Sequence, residues 1–395
     1  MAIRITNKSL CCGCSACVQK CPKQCISMLE DKEGFLYPFV DDEVCVKCGL
    51  CEKVCIELHP YDKHMPLNAY ACKNSDEIVR KASSSGGLFS LLAEKILDQK
   101  GVVFGARFDD NWKCVHDYIE DKKDIGKLRG SKYIPSKIGN SFNKTLSFLK
   151  ENRKVLFVGT SCQIAGLNRF LGKEYENLLT VEITCHGIPS AFIWEKYINE
   201  EIKKSQKKMN ANNLAIVGVN FRKKEIGWKR FSLSLRMSKN PLIGKNEIEL
   251  SEEHDKNAYM KLFLNDYILR PSCYQCPAKS GKTKSDLTFA DFWHIDRVLP
   301  DYDDDKGVTL VYANTDKGIS IMRSLNMDYR NISVKDATEL KTAWFLEQRC
   351  IPRYRELLFK VSPYLSINFL SRLFVDCRKI PRKMINNIKR GIKIA

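Results

Sequence analysis

Eight cysteines near the start of the chain fall into two runs with the same spacing. The first run follows the pattern C-x2-C-x2-C-x3-C-P, with Pro22 after its fourth cysteine. The second run begins 34 residues later. The runs are Cys11, Cys14, Cys17 and Cys21, and then Cys45, Cys48, Cys51 and Cys55. Because this spacing lets three thiolates hold one cubane and directs the fourth to its neighbour, the duplicated run predicts two [4Fe–4S] clusters.

The crossed pattern predicts which cysteine binds which cluster. We assign Cys11, Cys14, Cys17 and Cys55 to the first cluster, and Cys45, Cys48, Cys51 and Cys21 to the second. The alternatives are structural zinc, which usually uses paired CxxC knuckles without a third cysteine, and disulfides, which belong to oxidising compartments. Residues 1–65 are therefore predicted to form an α+β ferredoxin-like domain with two clusters. Cys12 and Cys25 lie outside the runs and are predicted to be small buried thiols.

The composition separates this segment from the rest of the chain. The whole chain of 395 residues has a formal charge of +18, whereas residues 1–65 carry about −1 and the remainder about +19. A basic surface attracts anions, but the charge alone does not tell whether the anion is nucleic acid, anionic lipid or a phosphorylated cofactor. Neither a long uncharged apolar run nor a secretory signal is visible, so the sequence predicts a cytoplasmic protein without a transmembrane segment.

Downstream, strands alternate with helices, which predicts a mixed α/β domain. Cys162 and Cys185 each follow a predicted strand, and Cys273 and Cys276 form a CxxC pair. Since ligands bind where parallel strands end, these four thiols could form a third metal centre; the alternative is that they are scattered structural cysteines. The turn before the predicted helix at Cys162 also predicts an acidified thiol there.

Two other segments have open interpretations. Ser85, Gly86 and Gly87 begin a predicted helix, where free backbone N–H groups could cradle a phosphate or a serine could simply cap the helix. From Asp376 onward the chain is basic with apolar residues at helical spacing. That C-terminal stretch could contact an anionic membrane surface, but a solvated tail or a partner-binding helix is favoured.

Five motifs in order resemble the coenzyme F420 hydrogenase/dehydrogenase beta-subunit family, from about residue 70 to about 320. They are Gly130 to Tyr133, Gly159 to Leu167, Cys185 to Ser190, Phe221 to Trp228 and Asp291 to Trp293. The family's usual Gly-Thr-Pro-Cys is Gly159-Thr160-Ser161-Cys162 here, which keeps the thiol and relaxes the turn. The predicted units are 1–65, the two catalytic-domain parts 66–150 and 151–325, and a helical basic extension 326–395.

The resemblance implies a flavin and iron–sulfur oxidoreductase. It favours a third [4Fe–4S] cluster at Cys162, Cys185, Cys273 and Cys276, and it implies FAD. A flavin exchanges both one and two electrons, so it can join one-electron clusters to hydride chemistry. Ser85, Gly86, Gly87 and Lys132 are the candidate FAD contacts, and His186 and His294 are the candidate catalytic residues for proton transfer.

The leading function is electron transfer between a redox partner, such as ferredoxin or another subunit, and a small organic substrate. Coenzyme F420 is the family's namesake substrate, and a sugar derivative in surface-polysaccharide biosynthesis is the second candidate. The alternatives are a non-catalytic electron-transfer subunit and a nucleic-acid-binding protein. The last has only the charge in its favour, so no nucleic-acid partner is expected.

Overall fold

The two cysteine runs build two copies of one backbone motif. The computed structural model describes residues 2–210, 213–240, 245–339 and 349–377. In the first run Gly13 and Ser15 have φ of 73° and 62°, and the equivalent Lys47 and Gly49 have 54° and 76°. The elements of this ferredoxin module are α1 (Ala16–Lys20), β1 (Ile26–Glu30), β2 (Leu36–Val40) and α2 (Leu50–Lys53). The repeat seen in the sequence is therefore also a repeat of conformation.

The remaining strands and helices form a mixed α/β domain, as the sequence predicts. The strands are β3 (Asn68–Lys73), β4 (Val102–Phe108), β5 (Cys114–Ile119), β6 (Val155–Thr160), β7 (Leu178–Ile183), β8 (Ala215–Lys223), β9 (Ser232–Asn240), β10 (Lys245–Glu253), β11 (Leu287–Asp291), β12 (Thr309–Ala313) and β13 (Asp328–Ile332). The helices are α3 (Glu77–Ala82), α4 (Leu88–Asp98), α5 (Ile125–Leu128), α6 (Ser141–Lys150), α7 (Ser161–Leu171), α8 (Ala191–Met209), α9 (Ala258–Leu264), α10 (Asp316–Arg323), α11 (Val334–Glu339), α12 (Arg355–Val361) and α13 (Ile367–Ser371).

Eight strands make one sheet in the order β13-β3-β12-β11-β7-β6-β4-β5. Its centre, β11-β7-β6-β4, is parallel, and the flanking pairs are antiparallel. The segments 66–150 and 151–325 both supply strands to this sheet. Parallel strands end at one edge, so the segments after β6, β7 and β11 meet there.

Strand β6 shows why the centre of the sheet is apolar on both faces. Val155 and Phe157 pack with α6 and α7, whereas Leu156 and Val158 pack with α4 on the other face. Successive side chains of a strand point to opposite faces, so a continuous apolar run is what a two-sided layer requires.

A second core joins the ferredoxin module to the α/β domain. Helices α8, α9, α12 and α13 and the antiparallel β8-β9-β10 sheet enclose aromatic residues that include Trp194 and Tyr259. Phe35 and Tyr37 of the ferredoxin module are buried in the same cluster. This packing fixes the module against the larger domain through a hydrophobic contact.

The structure leaves two predictions untested. The basic stretch at residues 378–395 lies outside the described residues, so its membrane or partner contact stays a prediction. Within the described residues, no helix combines the length and the apolar character needed to cross a membrane. The cytoplasmic location stays a prediction.

Candidate functional site

The second cysteine set of the ferredoxin module surrounds a small apolar cavity. Cys21, Cys45, Cys48 and Cys51 line it, as the crossed assignment predicts, and Cys25 lines it as well. The Cys25 Sγ lies 3.4 Å from the Cys21 Sγ. Cys25 is buried as predicted, whereas Cys48 is exposed. One ligand position of this set therefore reaches the surface of the protein.

The first cysteine set lies deeper, between the ferredoxin module and α7. Burial, followed by the charges of Cys11 and Cys55, raises the pKa of Cys17 to about 12. Cys14 also interacts electrostatically with Cys17. Cys11, Cys14 and Cys55 are thus electrostatic neighbours of Cys17, as is Cys51 of the second set, and the crossed assignment stays a prediction.

Four cysteines outside the two ferredoxin runs come together although they are far apart in the sequence. Cys162, Cys185, Cys273 and Cys276 line one narrow cavity at the sheet edge. Cys162 is in the first turn of α7, and Cys185 follows β7. The Ile188 N–H donates to the Cys273 Sγ at 3.3 Å, which ties the CxxC segment to the loop after β7. We call these four residues the third cysteine set.

The prediction of an acidified thiol at Cys162 is wrong. The α7 N-terminus does favour a thiolate, but contact with the Cys12 side chain and burial raise the pKa of Cys162 well above its ordinary value. Burial likewise raises the pKa of Cys185 to about 12. Metal ligation must therefore displace the protons from these thiols.

The candidate ligands of the third cysteine set are all thiols. Among the residues that the structure describes, no three thiol, imidazole or carboxylate groups converge closely enough to hold one metal ion. A single zinc ion needs its sulfur ligands at about 2.3 Å, whereas a cubane spreads four thiolates over its iron corners. An all-thiol donor set is the kind that holds a [4Fe–4S] cluster, and the third cluster stays a prediction.

Cys12 links the ferredoxin module to the third cysteine set. It lines the same cavity as Cys162, and its thiol interacts with those of both Cys14 and Cys162. Gly166, one helical turn after Cys162, lies so close that an added Cβ would stand 3.1 Å from the Cys14 Sγ. Cys12 was predicted to be a small buried thiol; it is only half-buried, and its position between the two cysteine sets had no signal in the sequence except its adjacency to Cys11.

A larger cavity of about 530 Å³ opens beside Cys14 and Cys162. Aromatic side chains of Trp112 and Trp194 contribute to its walls, and the side chains of Ser136 and Gln163 supply polar atoms. Ligand pockets typically have volumes of about 300–1,000 Å³, so this cavity can hold a planar ring system.

The predicted flavin-binding residues do not line this cavity. Ser85 Oγ donates to the Val308 carbonyl at 2.9 Å, and the Gly86 N–H donates to Thr309 Oγ1. Gly87, with φ of 88°, precedes α4. The Lys132 ammonium donates to the carbonyls of Leu128, Arg129 and Gly130, and burial lowers its pKa to about 8.

One loop nevertheless connects these residues to the cavity. The Ser131 N–H donates to Ser84 Oγ at 2.7 Å, and residues 134–139 of the same loop line the cavity. The flavin contacts at Ser85, Gly86, Gly87 and Lys132 stay predictions.

Comparison with known proteins identifies the family. Models for the N terminus and the C terminus of the coenzyme F420 hydrogenase/dehydrogenase beta subunit match residues 69–142 and 152–339. A 4Fe-4S dicluster domain matches residues 10–57. The chain belongs to the coenzyme F420 hydrogenase/dehydrogenase beta-subunit family. It is an iron–sulfur redox protein, and its N-terminal module is a two-cluster ferredoxin domain.

Individual relatives match only in part. An uncharacterized protein of Methanocaldococcus jannaschii is 26% identical over 241 residues, which cover 53% of this chain and 64% of that protein. A ferredoxin of Mycolicibacterium smegmatis is 34% identical over 74 residues, or 18% of this chain and 65% of that protein. The chain thus spans less than two thirds of the length of these curated relatives.

A similar solved structure is a chain in the F420-reducing [NiFe] hydrogenase complex from Methanosarcina barkeri. It covers 83% of this chain and 94% of its own, with 14% identity and a TM-score of 0.42. A similarity this low supports no functional inference.

Two motifs of this beta-subunit family form a buried polar group at the same sheet edge. Arg222 Nη1 lies 3.0 Å from Asp291 Oδ2, and the Trp228 and Trp293 rings stack at 4.7 Å. Arg222 Nη2 also donates to the Ser84 carbonyl. The motifs at the ends of β8 and β11 thus converge on the loop that contains Ser84 and Ser85.

The structure separates the two candidate catalytic histidines. His186 follows Cys185, and its Nε2 lies 2.8 Å from Asp266 Oδ1. Burial lowers the pKa of His186, although Asp266 opposes the shift. His294 is exposed, with φ of 64°, and does not line either the third cysteine set or the large cavity. Their catalytic roles stay predictions, and only His186 adjoins a cysteine of the third set.

Proposed function

We propose that the protein is a flavin- and iron–sulfur-dependent oxidoreductase that passes electrons between [4Fe–4S] clusters and an organic substrate. The observation that carries the proposal is a series of adjacent cysteine sets. The series begins at the exposed Cys48, continues through the first cysteine set, and reaches a ligand-sized cavity beside Cys162.

Electrons exchange with a redox partner at the second cysteine set. Cys48 is exposed there, and the neighbouring Val44 and Val46 side chains are 46% and 58% exposed. An apolar rim around a cluster ligand suits the small, transient interfaces of electron-transfer proteins. The partner is a ferredoxin or another redox subunit.

Inside the protein, clusters at the first and third cysteine sets are the next electron carriers. Cys14 packs on Gly166 of α7, and Cys12 contacts thiols of both sets. We assign a third [4Fe–4S] cluster to Cys162, Cys185, Cys273 and Cys276, because the four thiols share one cavity and bring no carboxylate or imidazole into it.

The large cavity is the proposed position of the FAD ring. Trp112 and Trp194 provide apolar surface, and Ser136 and Gln163 provide groups that can hydrogen bond to a heterocycle. Bound FAD would supply the exchange between one-electron and two-electron chemistry. The loop from Gly130 to Gly139 would hold the ring at one end and reach Ser84 at the other.

His186 is the proposed proton carrier near the third cysteine set. Its Nε2 lies 2.8 Å from Asp266 Oδ1 without an aligned hydrogen bond, and Asp266 is itself paired with Arg349 at 2.9 Å. Burial would raise the pKa of Asp266, but the adjacent His186 and Arg349 side chains outweigh it and lower the pKa. A charged carboxylate at this distance can stabilise the protonated form of the ring.

Iron, acid-labile sulfide and extracted flavin, measured on one anaerobic sample, test the proposal. We expect about twelve irons and one FAD per chain, and about eight irons in a Cys162→Ser/Cys276→Ser variant. The matched control is Cys350→Ser, because Cys350 is exposed and outside all three sets; it should keep about twelve irons. About eight irons in the wild type would contradict the third cluster.

Filling the cavity tests the flavin position separately. Ala191 lines the cavity at the start of α8, so Ala191→Trp should lower the flavin content without lowering the iron content. Ala82→Trp, at an exposed position, is the control. Normal flavin content in Ala191→Trp would exclude this cavity as the ring site.

A non-catalytic electron-transfer subunit is the second candidate, favoured by the surface position of Cys48. About eight irons and no flavin would support it. If flavin is present, turnover assays with coenzyme F420 and with sugar derivatives distinguish between these two substrate classes. Both classes were proposed from the family resemblance.

A further inference from the structure

Arg270 is a buried cation located between the first and third cysteine sets. The residue is only 3% exposed, although its side chain carries a full positive charge. Its Nε donates to the Cys11 carbonyl at 2.7 Å, and its Nη2 donates to the Leu36 carbonyl at 2.9 Å. Its Nη2 also donates to the Cys11 Sγ at 3.5 Å. The guanidinium thus hydrogen bonds to a cysteine assigned to the first cluster.

The backbone of Arg270 belongs to the other side of this contact. Its N–H donates to the Ile188 carbonyl at 2.8 Å, and its own carbonyl accepts from the Cys273 N–H at 2.9 Å. Arg270 therefore begins the turn that positions Cys273, while its side chain crosses to Cys11. Arg270 is therefore connected to the third cysteine set through the backbone that leads to Cys273, and to the first set through the hydrogen bonds of its guanidinium.

The surroundings of the guanidinium select an arginine in this position. The Tyr37 ring centroid is 4.2 Å from the guanidinium carbon. An added Cβ at Gly13, whose φ is 73°, would stand 3.0 Å from Arg270 Nη1, so glycine leaves the space that the guanidinium fills. A planar fork that stacks on an aromatic ring and donates in several directions is specific to arginine.

The charges that face Arg270 are mainly thiols of both cysteine sets. Burial works to lower the pKa of Arg270, but the ionisable side chains of Cys11, Tyr37, Cys12 and Cys273 outweigh it and raise the pKa. Glu57 also interacts electrostatically with Arg270 and offsets part of its charge. The guanidinium remains protonated at all physiological pH values.

We propose that Arg270 is a positioning residue that raises the reduction potential of the first cluster and, together with it, that of the third. A cluster gains a negative charge on reduction, so a fixed cation and an N–H···S hydrogen bond both favour the reduced form. The part that concerns the third cluster rests on the proposed function. The part that concerns the first cluster depends only on the ferredoxin domain.

Potentials measured by protein-film voltammetry and by EPR-monitored redox titration on the full chain test this inference. In Arg270→Gln, the charge and the hydrogen bond to Cys11 are lost, and the potential of the first cluster should fall. Arg270→Lys keeps the charge without the fork, so its shift should be smaller and in the same direction. Unchanged potentials in Arg270→Gln with unchanged iron content would overturn the inference.

Arg355 provides a matched control. It is also a buried arginine that joins the α/β domain to the ferredoxin module, because it pairs with Glu33 at 2.6 Å and donates to the Leu269 carbonyl. None of its hydrogen bonds reaches a cysteine. Arg355→Gln should therefore leave the potentials unchanged, and an equal fall in this variant would overturn the inference by tracing the effect to a loosened interface.

Two outcomes need separate interpretation. If Arg270→Gln fails to incorporate iron, Arg270→Lys decides the question, and an unchanged first-cluster potential in Arg270→Lys overturns the inference. If the wild type contains about eight irons, the third cluster of the proposed function fails. A falling first-cluster potential in that sample would still support the role of Arg270.

Discussion

The ferredoxin module and the third cysteine set form thiol sites in different ways. The module builds both of its sites within residues 11–55, from two short runs with repeated backbone conformation. The third set takes Cys162 from α7, Cys185 from the loop after β7, and Cys273 and Cys276 from the segment before β11. We expect the first kind of site to depend on its metal for structure, whereas Cys162 and Cys185 of the third set are positioned by a sheet that has its own apolar core.

The cores of the two regions explain this difference. In the module, the buried apolar cluster contains cysteines of the clusters themselves, including Cys17 and Cys51. Around β6, by contrast, Phe157 is fully buried among Phe104, Phe142 and His116. Removing iron leaves the first core without its centre and leaves the second intact.

The largest expected effect is therefore that of iron removal. Anaerobic chelation should lower amide protection in residues 11–55 by about 100-fold or more, because binding free energy at such sites is folding free energy. Peptides covering β6 and β7 should keep their protection. Hydrogen exchange with mass spectrometry measures both regions in one sample, and equal losses in the two would contradict the comparison.

The next largest effect is a core truncation in the sheet. Phe157→Ala should destabilise the α/β domain by about 3–5 kcal/mol, because a fully buried aromatic side chain leaves a cavity. Phe39→Ala, at a 55% exposed position of the ferredoxin module, should change stability by less than about 0.5 kcal/mol. Denaturant unfolding of both variants checks this, and a small effect of Phe157→Ala would mean that the sheet does not hold the third set.

A pair of helical glycines probes the contact between the two regions. Gly166→Ala should cost about 1–3 kcal/mol, because its Cβ would stand 3.0 Å from the Cys14 Cβ. Gly126→Ala in α5 meets no atom within 4 Å and should be neutral or stabilise by about 0.4–1 kcal/mol. The difference in unfolding free energy between the two variants measures how tightly the module packs on α7. Equal effects of the two substitutions would show that this packing contributes nothing to stability.

The smallest effect concerns pH and Lys132. Burial lowers its pKa to about 8 in the folded protein, below the value of about 10.4 in an unfolded chain. The unfolded state then binds more protons between these values, so stability should rise as pH increases from about 8 toward 10. Lys132→Met should lose this part of the pH dependence. Midpoints of thermal unfolding at pH 7.5 and 9.5 measure it, and an identical slope in the variant would contradict it.

The sequence alone determined the ferredoxin module, because its ligands are local. Fixed spacing within each run predicts both cluster sites, and the structure places Cys21 in one cavity with Cys45, Cys48 and Cys51. The crossed pairing of Cys55 stays a prediction. The mixed α/β class was also predictable, since apolar runs such as that at β6 alternate with amphipathic helices. The family motifs, read in order, led to the same beta-subunit family that the comparisons identify.

Only the tertiary structure decided which distant residues meet. The sequence named Cys162, Cys185, Cys273 and Cys276 as candidates and left open whether they meet. Their proximity depends on β6 and β7 being neighbours in the sheet, and no local spacing encodes that order. The environment of Cys162 likewise depends on Cys12, which approaches from the ferredoxin module and raises the pKa that the helix terminus alone would lower. Arg270 had no sequence signal at all, because its charge acquires meaning only where the fold brings it against Cys11. Local spacing specifies ligands of one segment, whereas electrostatic and packing contacts between segments arise from the three-dimensional fold.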